Sequence, residues 1–495
     1  MEFLSYTGTL VTMLVGIVLS VVASIHAITT KREVRAAIGW VGLVWLVPFI
    51  GAALYAVAGV NRIRRRGGRI RRRMHRLHPG SSPSPLALGA HREAPPVPQA
   101  ATRDEAVMPP ESRRTLAGLA RTIDEATGLP LLDDNRIDML VDGDEAYPAM
   151  LAAIEAAERT IGISTYIFDQ DEEGRAFVEA LADARRRGIE VRVLLDAVGA
   201  LYSTPRTPHV LSSRGIENGT FLHSILPWQA PYVNLRNHRK LLVVDGRTGF
   251  TGGMNIRSGC VRGNGGLTIQ DLHFRLEGPV VAHLAEAFAG DWAFTTRERL
   301  EGTGWFPSLE PRGEIAARGI SDGPDEDFGV LKWSLLAALA AAEHSVRIVT
   351  PYFLPDQTLV AALNLAALRG VTVDVVIPQS NNLRIVGWAM LGQIRQVLKF
   401  GCRVWLSAPP FDHSKLMVVD GAWTLFGSAN WDPRSLRLNF EFDVEAYDDE
   451  FAARAEREVW RKIDRSRRLT IEEVDGWSWP ERIRNSLAWL GSPYL

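Results

Sequence analysis

The sequence predicts an α/β protein with two similar domains, each a mixed sheet flanked by helices, preceded by an N-terminal transmembrane helical hairpin. Three observations support this prediction. Two long segments near the N-terminus contain no Asp, Glu, Lys or Arg. Farther along, the pattern helix, strand, helix, strand occurs twice, as expected where helices cover a sheet. A short His-x-Lys motif follows each copy of this pattern, which indicates a duplicated domain.

Residues 1–61 are predicted to form the two-helix hairpin. Residues 3–30 and 36–60 each lack charged side chains. Each segment is long enough to cross a bilayer core of roughly 30 Å at a rise of about 1.5 Å per residue. A cleaved signal peptide is the alternative for the first segment. Against it, no basic residue precedes the apolar run and a second apolar segment follows at once.

Residues 62–112 are predicted to be a basic juxtamembrane segment followed by a Pro-rich linker. Nine arginines lie between Arg62 and Arg76. By the positive-inside rule they place this end of the hairpin, and the chain that follows, in the cytoplasm. Binding to anionic lipid headgroups is an alternative role for the same arginines. The sequence therefore predicts a multi-pass protein of the cell membrane with the chain after the hairpin on the cytoplasmic side.

Charge and cysteine content narrow the function classes. The net charge is −1, but residues 1–78 carry twelve Lys and Arg against two acidic residues, so the remainder is acidic. Non-specific binding to nucleic acid needs a basic surface, and we therefore predict no nucleic-acid partner. The two cysteines, Cys260 and Cys402, provide neither a disulfide framework nor a zinc site. The oligomeric state is not indicated by the sequence.

The two domains are predicted to span residues 113–310 and 311–495. The repeated pattern occupies residues 146–196 in the first domain and residues 333–378 in the second. In both copies, Ala-rich stretches with helical periodicity alternate with runs of β-branched residues. Alternation of this kind favours largely parallel or mixed sheets covered by helices.

The two His-x-Lys motifs share the same internal spacing. Their members are His238, Lys240, Asp245, Gly253 and Asn255 in the first copy and His413, Lys415, Asp420, Ser428 and Asn430 in the second. In both, the Asp follows the His by seven residues and the Asn follows it by 17. We place each motif on a strand, so that His and Lys share one face. A single motif would most simply be two ordinary strand residues, but two matched copies predict one active site built from two halves.

These residue types suit phosphodiester chemistry. One imidazole attacks phosphorus to give a covalent phospho-histidine, and the other protonates the leaving alkoxide and then deprotonates the acceptor. The lysines and asparagines hold the non-bridging oxygens. The chemistry needs no metal and no cofactor. Asp245 and Asp420 each precede a turn Gly, so we expect a structural role for both, although they belong to the motifs.

The paired motifs resemble those of the phospholipase D superfamily, and within it the chain resembles the bacterial cardiolipin synthases. Segments that look synthase-like include residues 39–66 (GWVGLVWLVPFIGAALYAVAGVNRIRRR), 350–356 (TPYFLPD) and 486–495 (SLAWLGSPYL). The resemblance implies two phospholipase D-like domains related by a pseudo-twofold axis, with both motifs at the seam. It also implies a membrane phosphatidyltransferase that converts two molecules of phosphatidylglycerol, an anionic phospholipid, into cardiolipin and glycerol.

The resemblance further implies individual roles. His238, in the first motif, would be the nucleophile, and His413 would be the acid/base. A carboxylate is expected to orient each imidazole, with Asp271 fitting that place in the first half and Glu441 in the second. The remaining residues expected to bind or support the phosphate are Gly253, Asn255, Ser428 and Asn430.

Two departures from the family pattern leave the acceptor alcohol open. Ile269 stands where synthases usually carry an aromatic residue, and the loop at 258–268 is Gly-rich and lacks a common tyrosine. We place the acceptor near this loop. The alternatives are a phospholipase D that uses water or another alcohol, a nuclease or other phosphodiesterase, and a non-catalytic membrane scaffold. Trp477, Trp479 and Trp489 are expected either to close the core of the second domain or to contact the membrane.

Overall fold

The chain forms two units in the computed structural model, one from residues 1–66 and the other from residues 67–495. The structure describes residues 2–31, 34–59, 113–221, 235–262, 267–324 and 329–492. The arginine cluster and the Pro-rich linker predicted for residues 62–112 lie outside the described residues.

The N-terminal unit is a helical hairpin. Its elements are α1 (Glu2–Thr30), α2 (Val34–Leu46), α3 (Pro48–Leu54) and a π-helical turn (Tyr55–Gly59). Ser20 Oγ of α1 donates a hydrogen bond to the Val44 carbonyl of α2 at 3.1 Å. Trp45 Nε1 donates to Ser24 Oγ at 3.0 Å. These bonds join the two arms of the hairpin where few other polar partners exist.

The two apolar segments of the hairpin differ in length. Leu10–Thr30 forms a helix long and apolar enough to cross a membrane. The second segment was predicted as one span, but it is divided at Val47 into α2 and α3. Pro48 stands at the first position of α3, where its missing N–H costs no helical hydrogen bond and where it ends the preceding helix.

The larger unit is a mixed α/β structure. Its helices are α4 (Arg113–Thr127), α5 (Asp142–Glu155), α6 (Glu172–Arg186), α7 (Thr207–Ser213), α8 (Val281–Thr296), α9 (Val330–Ala341), α10 (Gln357–Leu368), α11 (Arg384–Leu398), α12 (Asp449–Asp464), α13 (Ile471–Asp475) and α14 (Trp479–Leu490). Its strands in the first half are β1 (Leu132–Val141), β2 (Thr160–Thr165), β3 (Glu190–Asp196), β4 (Glu217–Phe221), β5 (Arg236–Asn237), β6 (Leu241–Val244), β7 (Thr248–Gly252), β8 (Ile269–Gln270) and β9 (Leu272–Glu277). Its strands in the second half are β10 (Ile315–Asp322), β11 (Ser345–Val349), β12 (Thr372–Pro378), β13 (Arg403–Ser407), β14 (Phe411–Asp412), β15 (Leu416–Val419), β16 (Trp423–Gly427), β17 (Asn439–Tyr447) and β18 (Ser466–Leu469).

One sheet runs through both halves in the order β18-β13-β12-β11-β15-β16-β17-β10-β1-β9-β7-β6-β2-β3-β4. From its outer edge inward, the first half has β4, β3, β2, β6, β7 and β9, and the second half repeats this order with β13, β12, β11, β15, β16 and β17. The halves meet where β1 pairs antiparallel with β10. The predicted pair of similar α/β domains is therefore confirmed.

Each half has its own buried apolar core. In the first half, Ile163 and Val193 of the sheet pack with Phe177 of α6. Helix α4 precedes the first half in sequence, yet its residue Ile123 belongs to the core of the second half together with Leu335. The two halves are thus held together by a helix as well as by the shared sheet.

Two short strands exchange between the halves at the seam. Strand β5 pairs in parallel with β17 of the second half, and β14 pairs in parallel with β8 of the first. The next strands, β6 and β15, return to pair within their own halves. The His-x-Lys residues, predicted to lie on strands, instead lie in the breaks at 238–240 and 413–415. The breaks occur there because the chain changes its partner strand between β5 and β6 and between β14 and β15.

Candidate active site

The strand exchange places each motif histidine beside a carboxylate of the other half. The His238 amide donates to the Phe440 carbonyl at 2.9 Å, one residue before Glu441. His238 Nδ1 then lies 2.9 Å from Glu441 Oε2. In the same way, His413 Nδ1 lies 2.8 Å from Asp271 Oδ2. The sequence predicts each carboxylate beside the imidazole of its own half. This prediction is wrong, because the strand carrying each carboxylate is paired with the chain that leads into the opposite histidine.

These bonds fix the chemical state of both imidazoles. Glu441 and Asp271 are almost fully buried. A buried carboxylate accepts hydrogen bonds, so we assign the Nδ1 proton of each ring to the bond with its carboxylate. Nε2 of His238 and of His413 is then the nitrogen left for chemistry.

Glu441 is held by more groups than Asp271. Ser428 Oγ donates to Glu441 Oε2 at 2.6 Å, and Asn439 Nδ2 donates to Oε1 at 3.0 Å. Burial opposes ionisation of Glu441, but the neighbouring His238, Lys240 and Ser428 together lower its pKa. In the first half, Gly253 occupies the place of Ser428. A Cβ on Gly253 would lie 2.2 Å from Asp271 Oδ1, so only glycine fits there.

The two motif lysines carry depressed pKa values. Burial lowers the pKa of Lys240 to about 7 and that of Lys415 to about 8, although nearby carboxylates oppose the shift. An anion that enters the site therefore favours the ammonium form of each lysine.

Charged groups of both motifs act on each imidazole. Burial lowers the pKa of His238, and Lys240 of its own motif and Lys415 of the other motif lower it further. Burial, Lys415 and Lys240 hold the pKa of His413 at about 4. Each imidazole thus senses the ammonium groups of both halves and is neutral in the empty site.

The two motif asparagines have different partners. Asn255 Oδ1 accepts a hydrogen bond from the Ile167 amide at 3.0 Å. Asn430 Nδ2 donates to Ser435 Oγ at 3.2 Å, while its buried Oδ1 has no hydrogen-bond partner. Both side chains are buried next to their motifs, as expected of groups that receive a phosphate.

Asp245 and Asp420 hold the turns that follow β6 and β15. Asp245 accepts hydrogen bonds from the backbone amides of residues 158–160 at 2.7–2.9 Å. Asp420 accepts from the amides of residues 343–345 at 2.7–2.8 Å. Both have positive φ values, 53° and 52°, which Asp tolerates better than most residues. Their carboxylates are occupied by backbone, in keeping with the structural role that we expected.

A buried ion pair lies behind each motif, and sequence reasoning missed both. Behind the first motif, Arg239 Nη1 contacts Asp291 Oδ1 at 2.8 Å, and Asn237 Nδ2 donates to Asp291 Oδ2 at 2.8 Å. Behind the second, Lys462 Nζ contacts Asp412 Oδ2 at 2.7 Å. The helix that follows each motif thus supplies an acidic partner in the first half (Asp291 of α8) and a basic partner in the second (Lys462 of α12). The available signal was the charged residue next to each histidine, namely Arg239 and Asp412.

Aromatic and basic side chains border the imidazoles. The ring of Tyr166 lies 5.3 Å from that of His238. Tyr352 lies 6.4 Å from His413. Burial lowers the pKa of Arg434, and the positive charge of Arg236 lowers it further. Arg236, two residues before the first motif histidine, was not singled out from the sequence. Residues 263–266 of the loop predicted to border the acceptor lie outside the described residues.

Comparisons with known proteins identify the family of this chain. Residues 150–292 and 335–463 match the family model described as cardiolipin synthase, PLD-like domain. Residues 18–59 match a model described as the phospholipase D-nuclease N-terminal region. The two matched segments of the first model contain the two His-x-Lys motifs, one in each.

Individual relatives match over most of the chain. Cardiolipin synthase A of Pseudomonas entomophila (strain L48) is 31% identical over 485 residues, covering 97% of this chain and 98% of that protein. The major cardiolipin synthase of Bacillus subtilis (strain 168) is 32% identical over 366 residues, covering 73% of this chain and 76% of that protein. Among solved structures, the phosphatidylserine synthase of Haemophilus influenzae Rd KW20 superposes with a TM-score of 0.60 at 17% identity. That match covers 76% of this chain and all of that one, and it supports the fold.

Proposed function

This chain belongs to the cardiolipin synthase family with phospholipase D-like domains, and we propose that it joins two molecules of phosphatidylglycerol to give cardiolipin and glycerol. It is a phosphatidyltransferase enzyme. The observation that carries the proposal is the reciprocal pairing of His238 with Glu441 and of His413 with Asp271. It leaves two imidazole Nε2 atoms, one from each half, for the two sides of a single phosphorus.

In the first step, His238 Nε2 attacks the phosphorus of phosphatidylglycerol. A P–N bond forms and the bond from phosphorus to the glycerol headgroup oxygen breaks, while His413 gives that oxygen a proton. Glu441 holds the His238 Nδ1 proton and stabilises the positive charge that develops on the ring. The product of the step is phosphatidyl-His238 and free glycerol.

In the second step, the terminal hydroxyl of another phosphatidylglycerol resolves the intermediate. His413 Nε2 accepts the hydroxyl proton while the oxygen attacks phosphorus, and the P–N bond breaks with its electron pair returning to His238. Asp271 keeps the His413 ring oriented through both proton transfers. The products are cardiolipin and the free enzyme.

The lysines and asparagines are assigned to the non-bridging phosphate oxygens. Lys240 and Lys415 are almost fully buried, so their charges act in a medium where they are weakly screened. Asn255 and Asn430 supply amide groups from the turn after each motif. An arriving phosphate raises the pKa of Lys240, Lys415 and His413 and thereby supplies the site with protonated groups.

The chain is associated with a membrane through its N-terminal unit. We propose that α1 and the α2–α3 segment cross it twice and that the larger unit faces the cytoplasm, because nine arginines follow the second segment. The substrates are then phospholipids of the cytoplasmic leaflet.

The proposal is tested with the purified full-length protein in vesicles that contain labelled phosphatidylglycerol. Cardiolipin and glycerol in equal amounts are expected. Phosphatidic acid as the only lipid product would show that the protein is a hydrolase and would contradict the proposed synthase activity. Vesicles that contain a second alcohol would reveal a transphosphatidylase through the corresponding mixed lipid.

The roles of the two histidines are tested with a phosphatidyl ester of nitrophenol, whose leaving group needs no proton. His413→Ala should release nitrophenol in a burst of one per enzyme and accumulate the phosphatidyl group on His238, detected by peptide mass spectrometry. His238→Ala should give no burst. An adduct on His413 in the His238→Ala protein would reverse the assignment.

A further inference from the structure

A cavity of about 430 Å³ in the second half takes no part in the mechanism above. It lies between α11 and α14 at the carboxyl ends of β12 and β13, and its walls include Arg384, Trp388 and Arg484. Its volume is within the range of about 300–1,000 Å³ that small-molecule sites occupy. The cavity is therefore large enough to receive a polar headgroup.

Two arginines of this cavity form no ion pair among the described residues, although Arg484 is attracted by Glu481 of the same wall and donates to Asn485 Oδ1 at 3.0 Å and 3.1 Å. The guanidinium carbons of Arg384 and Arg484 lie 5.7 Å and 5.0 Å from the ring centroid of Trp388. The cavity's other arginine, Arg467, is paired with Glu473. Two guanidinium groups that share one indole and form no ion pair are a suitable site for a phosphate.

Exposed apolar residues flank the two cavity arginines in sequence, outside the lining of the cavity itself. Leu383 and Ile385, on either side of Arg384, are 52% and 50% exposed. Ile483 and Leu487, one turn apart on α14, are 41% and 63% exposed. A phosphate site with exposed apolar residues beside both of its helices matches a phospholipid, whose headgroup is anionic and whose chains are apolar.

The wall of the cavity is bonded to the segment beside the acid/base histidine. Strands β11 and β12 are parallel neighbours, so their carboxyl ends lie at one edge of the sheet. Asn381, in the cavity wall, donates to the Pro351 carbonyl at 3.0 Å. Tyr352 donates to Asn382 Oδ1 at 2.9 Å, and its ring neighbours that of His413. The cavity wall is thus linked, through Asn382 and Tyr352, to the imidazole that must deprotonate the acceptor hydroxyl.

The cavity also breaks the symmetry of the two halves. Strand β3 is followed by the seven-residue helix α7, whereas its counterpart β12 is followed by the 15-residue helix α11. After α12 the chain adds β18, α13 and α14, whereas after α8 it continues to β10 of the next half. Donor and acceptor are both phosphatidylglycerol in the proposed reaction. A binding site that exists in just one of the two halves would therefore distinguish the acceptor from the donor by its position.

We propose that this cavity binds the phosphate of the acceptor phospholipid, with Arg384 and Arg484 as its ligands. The inference rests on the proposed function and places the acceptor in the second half rather than at the loop after Asn255. With its phosphate held there, the acceptor presents its terminal hydroxyl to His413 Nε2. The hydroxyl proton passes to His413, the oxygen bonds to phosphorus, and the bond from phosphorus to His238 breaks.

The test compares the two half-reactions in the full-length protein reconstituted with labelled phosphatidylglycerol. Arg384→Gln/Arg484→Gln should keep the initial burst of one glycerol per enzyme, because the donor step does not use the cavity. The ratio of cardiolipin to phosphatidic acid should fall about tenfold, as expected from the loss of charge-assisted hydrogen bonds to one phosphate. A higher concentration of phosphatidylglycerol should restore part of the ratio.

Arg482→Gln is the matched control, because Arg482 is an exposed arginine of α14 outside the cavity wall. It should leave the ratio unchanged. A wild-type ratio in the double variant, or an equal fall in the control, would overturn the acceptor site. Absence of glycerol release from the wild-type protein would instead overturn the proposed function, so the two failures are distinguishable.

Discussion

At the scale of single residues, the two halves of the site are chemically unequal. Ser428 donates to Glu441 at 2.6 Å, and Glu441 orients His238. The equivalent position next to Asp271 is Gly253, which has no side chain to donate. The extra hydroxyl therefore supports the carboxylate of the proposed nucleophile and not that of the acid/base.

Ser428→Ala should reduce kcat about tenfold with little change in KM. The loss removes one hydrogen bond to a buried charged group, worth about 1.5–3 kcal/mol, only part of which is felt in the transition state. The measurement is the burst rate with the nitrophenyl ester, which reports attack by His238. Ser334→Ala is a suitable control, because Ser334 is also buried but donates only to Val330 of its own helix. An unchanged burst rate would show that Ser428 does not act through Glu441.

The ratio kcat/KM, which follows the protonation state of the free enzyme, should fall as the pH rises through about 7 to 8. The pKa of Lys240 is about 7 and that of Lys415 about 8, so each loses its positive charge in this range when the site is empty. The measurement is kcat/KM against pH, since this ratio follows the free enzyme, whereas kcat should hold to higher pH because bound phosphate stabilises the ammonium groups. On the acidic side, kcat/KM should stay constant to pH values below the ordinary imidazole pKa, because the lowered pKa of His238 keeps its Nε2 unprotonated there.

Lys240→Arg provides the check on this assignment, because arginine stays protonated across the range. For this variant, kcat/KM should no longer decline near pH 7, whereas the decline near pH 8 should remain. A decline unchanged in shape would mean that another group titrates there.

At the scale of elements, the sequence predicted what is local and missed what depends on strand pairing. The repeat was visible because helix and strand periodicities are properties of short segments. The motif residues were found because their spacing is identical in both copies. The exchange of β5 and β14 was not visible, because a two-residue strand carries no signal of its partner. For this reason Glu441 and Asp271 were identified correctly as residues near the imidazoles but assigned to the wrong ones. The division at residues 310 and 311 stays a prediction.

The buried pair between Lys462 of α12 and Asp412 of β14 should be important for stability. Burial disfavours both charges, yet mutual attraction lowers the pKa of Asp412 and raises that of Lys462. Lys462→Met leaves Asp412 unpaired and should cost about 3–5 kcal/mol of folding free energy. Adding Asp412→Leu should recover much of that loss, because the unpaired Asp412 charge is then gone. Glu458, the other acidic partner of Lys462, keeps its pair with Arg461.

The midpoint of thermal unfolding in detergent is the measurement for these variants. Arg395→Met serves as the control, because the Arg395–Asp475 pair lies at the surface, and it should leave the midpoint nearly unchanged. A double variant as unstable as Lys462→Met alone would show that packing, and not the unpaired charge, causes the loss.

At the scale of the whole molecule, a catalytic unit that uses lipid substrates is joined to a membrane hairpin of unequal arms. Among the described residues, α1 is the one helix long and apolar enough to cross a membrane. The second arm contains α2, α3 and a π-helical turn in immediate succession, from Val34 to Gly59. Its apolar length is still that of a span, which is why two crossings remain the prediction.

The two crossings predict that the turn between α1 and α2 lies outside the cytoplasm while the catalytic unit lies inside. Lys31 is in this turn, and its charge is outweighed by the nine arginines that follow the second arm. A cysteine at Lys31 should react with a membrane-impermeant maleimide in intact cells. A cysteine at the exposed residue Glu450 should react only after lysis. Cys260 and Cys402 are buried and should contribute little background. Protection of the Lys31→Cys protein in intact cells would mean that the hairpin does not cross the membrane twice in this direction.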